Sequence, residues 1–340
     1  MKSLDEDILV SIANETLHNF YHKGEAIFDG SSFAKSFQFD RLDVFKKPIP
    51  QRRCIYPNCS RKTVKRSHTI QRSGPLKTIS ENGIVVGPTR DWKTRQMKMA
   101  KIGLNQASTF PGYCEKHEKL FKSFELTGEF AKEVDVSLQL YRTVCREVVE
   151  TEHYIDVVKN SVPKYKSYRN RKLAKHSLER LSLQENAKYN ELHLTKIIEE
   201  LASNAELDSV NRDLQEKEDF LFNDFIPIQQ GLFEDISLGH YRNTIVKCIK
   251  FGDQLPVTLA TIDRINFPPE ISTDPLIVIF NVLPKKKFTY IFIAARKDQE
   301  QLLNIYSESL YSSINCLNRI ESLVLSNFDK WFIGLLCGRT

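Results

Sequence analysis

The sequence has no long apolar run and lacks the motifs of several common enzyme classes. No stretch approaches the roughly 18 apolar residues of a transmembrane helix. The glycine patterns that bind nucleotide phosphates and dinucleotides are missing, as are the GxSxG and HExxH patterns. Nucleotide hydrolysis, dinucleotide-dependent redox chemistry, serine hydrolysis and zinc peptidase chemistry therefore lack their usual residues.

The chain also has no internal repeat and no recognisable secretion signal. Its first residues, MKSLDEDILV, are acidic where such a signal would be basic and then apolar. The chain has seven cysteines, and an odd number without a recognisable secretion signal argues against a disulfide framework. We therefore expect a cytoplasmic protein without membrane association, whose thiols are reduced core residues or metal ligands.

Positive charge is concentrated in one segment of the chain. The formal net charge is +6, from 49 Lys and Arg against 43 Asp and Glu. Residues 45–101 hold fifteen of the basic residues and only two acidic ones, Glu81 and Asp91, so the rest of the chain is acidic. Such segregation is typical of a module that binds a polyanion, and nucleic acid is the first expectation.

The pattern of apolar residues divides the chain into four regions. Residues 1–50 read as an N-terminal lead-in, and residues 51–127 as a compact module with little regular pattern. Residues 128–226 are predicted to be helical, and residues 239–340 to form an α+β domain. The expected fold class is therefore α+β and multidomain.

Intervals of three and four between apolar residues predict the helical region. One helix is expected over about 129–160, ended by Pro163, and a second helical stretch over 165–225, with a break at 203–205. Long charged helices need a partner surface, so we expect either a helical hairpin or a coiled coil between two chains. The second alternative would make the protein a homodimer.

Alternating apolar residues predict the C-terminal domain. The expected strands are 241–251, 257–265, 275–283 and 288–295, followed by helices over 297–312 and 314–326. Residues 284–287 are predicted to form the hairpin turn between the last two strands. We expect an antiparallel sheet with helices on one face.

Three cysteines and a histidine carry the clearest chemical signal. Cys54 and Cys59 are separated by four residues, and Cys114 and His117 by two. Zinc in structural sites is usually bound by two such close pairs, and the second pair lies on one face of a predicted helix start. The arrangement predicts a treble-clef, or ββα-like, module with a structural Zn²⁺. The alternative is four buried but unrelated residues.

A further histidine connects this module to a known family. His68 lies in TVKRSHTIQ, after the first cysteine pair, and Glu118 directly follows His117. Over about residues 52–126 the layout resembles the zinc-bearing HNH, or His-Me finger, endonucleases, in arrangement more than in sequence. The resemblance implies that His68 is the general base of phosphodiester hydrolysis, and that Glu118 helps to hold a catalytic Mg²⁺ or Mn²⁺.

The segment departs from the family pattern at several positions. Ser67 stands where the family often has an acidic residue or a second histidine, and His117 stands where it has a cysteine. The middle asparagine of the family could be Asn82 or Asn105. Two other roles therefore stay open for His68: a zinc ligand in place of His117, or a structural histidine at a strand end.

Basic residues flank the first cysteine pair and His68. Those predicted to contact nucleic acid, DNA or RNA, are Arg52, Arg53, Arg61, Lys62, Lys65, Arg66, Arg72, Lys93 and Arg95. Few aromatic residues accompany them, which argues against a platform that stacks single-stranded bases. A further basic run, residues 164–175, either extends this track or forms an exposed helix face.

The sequence leaves three hypotheses for function. The first is an HNH-like protein that binds nucleic acid and cuts it, and that acts, by analogy with its class, as an antiphage defence effector. The second is a zinc finger without catalysis that binds nucleic acid or serves as an assembly scaffold. The third is an adaptor whose basic face meets an acidic protein surface.

Overall fold

The computed structural model describes most of the chain. The described residues are 4–22, 49–90, 97–127, 129–182, 191–202, 205–326 and 330–334. They form two compact units: the described residues within 1–48 and 153–218 make the first, and those within 49–152 and 219–340 make the second. Among the described helices, none combines the length and the apolarity that a membrane crossing needs.

The described residues form helices and strands in a mixed fold. The helices are α1 (Leu4–His22), α2 (Lys77–Ile79), α3 (Glu115–Glu118), α4 (Lys122–Thr127), α5 (Glu133–Ser182), α6 (Glu191–Leu201), α7 (Ala205–Asp219), α8 (Ile226–Leu238), α9 (Glu300–Ser309) and α10 (Ser313–Ser326). The strands are β1 (Ser67–His68), β2 (Ile84–Arg90), β3 (Met97–Gly103), β4 (Thr109–Phe110), β5 (Thr244–Phe251), β6 (Val257–Ile265), β7 (Leu276–Pro284), β8 (Thr289–Arg296) and β9 (Trp331–Ile333).

The first unit is helical. One core joins α1 with α6 and the C-terminal part of α5: Leu9, Ala13, Leu17, Leu173, Ala174, Leu194, Ile197 and Ile198. A smaller core joins α5 to α7 and contains Tyr154, Val158 and Val210. These helices therefore pack against one another within the chain, as one of the two predicted alternatives requires.

The long helix α5 corrects one prediction. Proline removes an N–H donor and crowds the carbonyl four residues earlier, so Pro163 was expected to end the helix. That expectation is wrong, because α5 continues through Pro163 to Ser182. Buried side chains on both sides of the proline, Val158 and Leu173, pack against other helices and offset the lost hydrogen bond. The predicted break includes residues 203–204, which lie outside the described residues; α7 begins at Ala205.

The second unit contains a seven-stranded antiparallel sheet. Its strand order is β3-β2-β9-β6-β7-β8-β5. The four predicted C-terminal strands are confirmed as β5 to β8, with ends shifted by up to three residues. The strand β9 pairs on one side with β6 and on the other with β2, where Val86 faces Ile333. The hairpin β2–β3 of the basic segment therefore belongs to the same sheet as the C-terminal strands.

The central strand β7 is buried along its whole length. On one face, Leu276, Val278, Phe280 and Val282 belong to the core that includes residues of α9 and α10. On the other face, Asn281 Oδ1 accepts hydrogen bonds from two side chains of α5, Gln139 at 3.1 Å and Thr143 at 2.9 Å. Helices were expected on one face only. The near-continuous apolar run of β7 fits a strand that is covered on both faces.

One cysteine departs from its predicted environment. Cys145 and Cys316 are buried, as expected for small core residues, whereas Cys248 is exposed. Cys248 lies on the edge strand β5, on the face opposite to Ile249, which packs against the core. Cys337 lies outside the described residues.

Candidate metal centre

The four predicted zinc ligands converge. The ligand atoms of Cys54, Cys59, Cys114 and His117 all lie within 4.8 Å of one another. His117 Nδ1 is 3.3 Å from Cys54 Sγ and 3.6 Å from Cys114 Sγ, and the sulfurs of Cys59 and Cys114 are 3.8 Å apart. The cluster could hold a metal ion such as zinc.

Three of the six distances among the ligand atoms can be compared with tetrahedral coordination. Zinc lies about 2.3 Å from a thiolate sulfur and about 2.0–2.1 Å from a histidine nitrogen. At the tetrahedral angle, two sulfurs are then about 3.8 Å apart, and a sulfur and a nitrogen about 3.6 Å apart. The measured distances of 3.8, 3.6 and 3.3 Å lie close to these values.

The first ligand pair is presented by a tight turn. The N–H of Cys59 donates to the carbonyl of Tyr56, and Asn58 adopts a left-handed backbone with φ of 58°. Asparagine tolerates that conformation better than most residues. The N–H of Cys54 donates to the carbonyl of Arg61 at 2.8 Å, which closes the loop behind the turn. Both thiols are thereby directed to the same point.

The second ligand pair lies at the start of a helix. Cys114 immediately precedes α3, and His117 is its third residue, so the two side chains share a face. The N–H of Ile55 donates to the carbonyl of Gly112 at 2.9 Å, which connects the two ligand pairs through the backbone. The Tyr56 ring stacks on the His117 imidazole, with ring centroids 3.9 Å apart.

The pKa values of the side chains in the cluster are shifted in different directions. Burial raises the pKa of the Cys54 thiol to about 12. Burial also acts to raise the pKa of Cys114, but hydrogen bonds from the His117 N–H and from the Cys54 and Cys59 thiols outweigh it, so that this pKa is lowered. Burial lowers the pKa of His117 and keeps its imidazole neutral, as metal ligation requires. A bound cation would supply the positive charge that is needed to stabilise a buried Cys54 thiolate.

His68 lies outside this cluster. It forms β1 with Ser67 and pairs with Thr109 of β4. Its Nδ1 is 3.0 Å from the carbonyl oxygen of Ala107. Burial lowers the pKa of His68 to about 4, and the positive charges of Arg142 and Arg72 act in the same direction. The imidazole is therefore neutral near pH 7, and because a carbonyl oxygen only accepts, the proton is on Nδ1 and the lone pair on Nε2.

Glu118 is engaged by a buried arginine. Its Oε1 accepts a hydrogen bond of 2.7 Å from Nη2 of Arg142, whose side chain is fully buried. The same guanidinium donates to Glu125 at 2.7 Å and lies 4.2 Å from the centre of the Phe121 ring. Burial raises the pKa of Glu118, although Arg142 opposes the shift. The pair with Arg142 thus engages one oxygen of the carboxylate that the family resemblance assigns to a catalytic metal, whereas Oε2 is buried and forms no hydrogen bond with the described residues.

The described residues bring together one metal-ligating cluster. Among them, the three cysteines and His117 are the only group of three or more His, Cys, Asp and Glu side chains at ligand distance. His117 rather than His68 completes that group. His68 and Glu118 each have a different partner, Ala107 and Arg142.

A concave basic surface lies in the same segment. A pocket of about 730 Å³ is lined by Arg66, Arg72, Ser73, Lys77, Gly83, Gly103, Leu104, Asn105 and Gln106. None of these described lining residues is acidic. Asn105 orients Arg72, since its Oδ1 accepts a hydrogen bond of 2.6 Å from Nη1 of that arginine. An anion entering the pocket would meet three cationic side chains.

The other predicted nucleic-acid contacts differ in exposure. Arg53, Arg61, Lys62, Lys65, Arg66 and Arg72 are exposed. Arg52 is half-buried and forms an ion pair of 2.5 Å with Glu152 of α5. Lys93 and Arg95 lie outside the described residues.

Sequence reasoning missed Arg142. The sequence places it within the apolar stripe of α5, next to Tyr141 and Val144, and a charged residue at such a position usually has a buried partner. The spacing of residues does not show which carboxylates pair with Arg142, because Glu118 and Glu125 precede it by 24 and 17 residues and lie on other elements.

Comparison with protein-family models, with curated proteins and with solved structures finds no match to this chain. The site's own chemistry is therefore the basis for assigning a function.

Proposed function

We propose that this protein is a zinc-stabilised nucleic-acid-binding protein whose residues 51–127 form a treble clef of the HNH type. One observation carries the proposal: a Cys₃His cluster at tetrahedral zinc spacing and a pocket lined by three cations occur in the same short segment. Three thiolates and an imidazole favour zinc over the harder divalent ions. The metal holds a loop-rich segment in place, and that segment presents the cations.

The order of elements supports the treble-clef assignment. A turn with two cysteines comes first, then the antiparallel pair β1–β4, and then the helical segment that starts at Cys114. The N–H of Val64 donates to the carbonyl of Tyr113 at 2.7 Å, so the chain between the two ligand pairs returns beside the first pair. This is the arrangement expected when one ion connects a turn to a helix start.

The exposed cations would contact phosphates. Neutralisation of phosphates by Arg and Lys provides affinity without reading sequence, and it weakens steeply as salt rises. The proposed binding is therefore to the backbone of DNA or RNA. An adaptor that meets an acidic protein is the competing interpretation. The antiphage role and the homodimer stay predictions from the sequence.

Substitution of the pocket arginines tests the binding proposal. The double variant Arg66→Gln, Arg72→Gln should bind a short duplex roughly tenfold more weakly, with a smaller dependence of affinity on salt concentration. Fluorescence anisotropy over a salt series measures both quantities. Arg212→Gln with Arg242→Gln is the matched control, since both are exposed arginines outside the pocket. Equal affinities for the two double variants would contradict the proposal.

A second candidate function is hydrolysis of the bound phosphodiester. The hydrogen bond that orients His68 favours it, whereas the lowered pKa makes this imidazole a weaker base than an exposed one. A neutral imidazole with Nδ1–H held by the Ala107 carbonyl leaves Nε2 able to take a proton from water. The resulting hydroxide would attack phosphorus, the bond to the leaving oxygen would break, and solvent would protonate that oxygen. Because Arg142 engages Oε1 of Glu118, only Oε2 of that carboxylate is left to help hold Mg²⁺ or Mn²⁺, and phosphate oxygens of the substrate would supply further ligands.

Nuclease assays with Mg²⁺ or Mn²⁺ on DNA and on RNA test this second function. His68→Ala should abolish cleavage with zinc content and duplex affinity unchanged, whereas His240→Ala, at an exposed histidine, should cleave normally. The base is active when deprotonated, so the rate should rise as pH increases through about 4 and stay level near neutrality. If the wild-type protein cuts neither substrate, catalysis is refuted and the binding proposal stands.

A further inference from the structure

A second basic pocket lies at the C-terminal hairpin. It has a volume of about 830 Å³ and is lined by Ser73, Gly74, Thr78, Glu129, Lys250, Gly252, Lys285, Lys286, Lys287 and Phe288. Four lysines and one glutamate thus surround it. Lysines 285–287 form the turn between β7 and β8, and Lys250 projects from the neighbouring strand β5.

Lys285 has an environment unlike that of an ordinary surface lysine. Only 7% of the residue is exposed, and its Nζ, which is fully buried, forms no hydrogen bond with the described residues. The nearest carboxylate oxygen, Oε1 of Glu129, is 4.0 Å away, beyond hydrogen-bond distance. A buried ammonium without an acceptor is costly, so the position requires an explanation.

The neighbours of Lys285 compensate its charge only in part. Its Nζ lies 5.3 Å from the centre of the Phe130 ring, a weak cation–π contact. The Glu129 side chain is 63% exposed, so water screens its attraction. Burial lowers the pKa of Lys285, and the carboxylate of Glu129 acts in the opposite direction. The ammonium would therefore gain from a strong acceptor on its pocket side.

A bound anion would also stabilise the other three lysines of the pocket. Lys286 and Lys287 are exposed, and Lys250 lies 4.5 Å from the centre of the Phe288 ring. Like charges that line one pocket repel one another, and an anion between them would reduce that repulsion. A group with several acceptor oxygens and more than one negative charge could accept hydrogen bonds from all four side chains. Phosphate is the common biological group of that kind.

We propose that this pocket binds a phosphate group, with Lys285 as the buried hydrogen-bond donor and Lys250, Lys286 and Lys287 around the remaining oxygens. The phosphate can come from a free nucleotide or from a nucleic-acid backbone. Ser73 lines both this pocket and the one that contains Arg66 and Arg72, so a backbone could continue from one to the other. Only that second source rests on the proposed nucleic-acid binding.

Titrations of the full chain with ATP and with a short duplex distinguish the sources. Lys285→Met keeps the apolar stem and removes the donor, and it should weaken binding roughly ten- to a hundredfold. Lys297→Met, an exposed lysine paired with Glu300 elsewhere in the same unit, removes the same charge and should change affinity less than about twofold. Loss of ATP binding identifies a nucleotide site. Loss of duplex affinity alone identifies a backbone site.

A second variant keeps the test decisive if Lys285→Met does not fold. Lys286→Met with Lys287→Met alters exposed side chains only, so thermal unfolding should be unchanged while affinity for the same ligand falls. Unaltered binding of both ATP and duplex by a folded Lys285→Met protein, or by this double variant, would overturn the proposal. Because Arg66 and Arg72 are intact in each case, this failure is separable from failure of the binding function.

Discussion

At the scale of single residues, two groups of charged side chains among the described residues place opposite charges side by side in the interior. Arg142, Glu118 and Glu125 are one such group, and Glu150 with Arg146 and Lys330 is another. In the second group, Glu150 belongs to α5, and Lys330 directly precedes β9. The ion pair therefore connects the long helix to the strand that completes the sheet.

This group makes stability depend on pH. Burial alone would raise the pKa of Glu150, but the charges of Arg146 and Lys330 outweigh it and lower that pKa to about 2. Because the folded-state pKa lies below the unfolded value of about 4.3, the stabilisation is complete above that value and is lost as pH falls toward 2. Glu150→Gln should thus destabilise the fold by about 2 kcal/mol at pH 7.

Urea unfolding at pH 7 and at pH 3 measures this effect. The gap in unfolding free energy between wild type and Glu150→Gln should narrow at pH 3. Any loss of metal in acid affects both proteins and cancels in the difference. Glu321→Gln, at an exposed glutamate of α10, should show little change at either pH. A gap of equal size at both pH values would mean that Glu150 contributes through packing and not through charge.

At the scale of elements, the strands with a clear apolar pattern are predicted from the sequence, and elements that lack such a pattern are not. The strands β5 to β8 are rich in β-branched and aromatic residues, and the alternation predicts each of them within a few residues. The helix through Pro163 was mispredicted, since a local rule was overridden by packing on both sides. The strand β9 has three residues, too few for a pattern to identify.

The candidate site likewise contains one part that the sequence predicts and another part that it does not. The four ligands of the cluster could be predicted because metal coordination imposes short spacings within each pair, and those spacings are visible in the sequence. The pair of Arg142 with Glu118 and the pocket around Lys285 could not be predicted. They depend on which elements meet in the fold, and the chain separates them by tens of residues.

At the scale of the whole molecule, one sheet joins the basic segment to the C-terminal strands. Among the described strands, β9 pairs with β2 on one side and with β6 on the other, so residues from three distant parts of the chain complete one sheet. Both basic pockets belong to this second unit. The metal cluster and both pockets therefore depend on the same folded unit for their geometry.

We propose that zinc holds the segment that presents the cations, and the metal content of the protein is the measurement that decides it. Elemental analysis of the purified chain should find about one zinc per molecule. Cys114→Ser should lose that zinc together with duplex binding, whereas Cys248→Ser, at an exposed cysteine outside the cluster, should keep both. A wild-type protein without bound metal, or a Cys114→Ser protein that retains its zinc, would contradict the account.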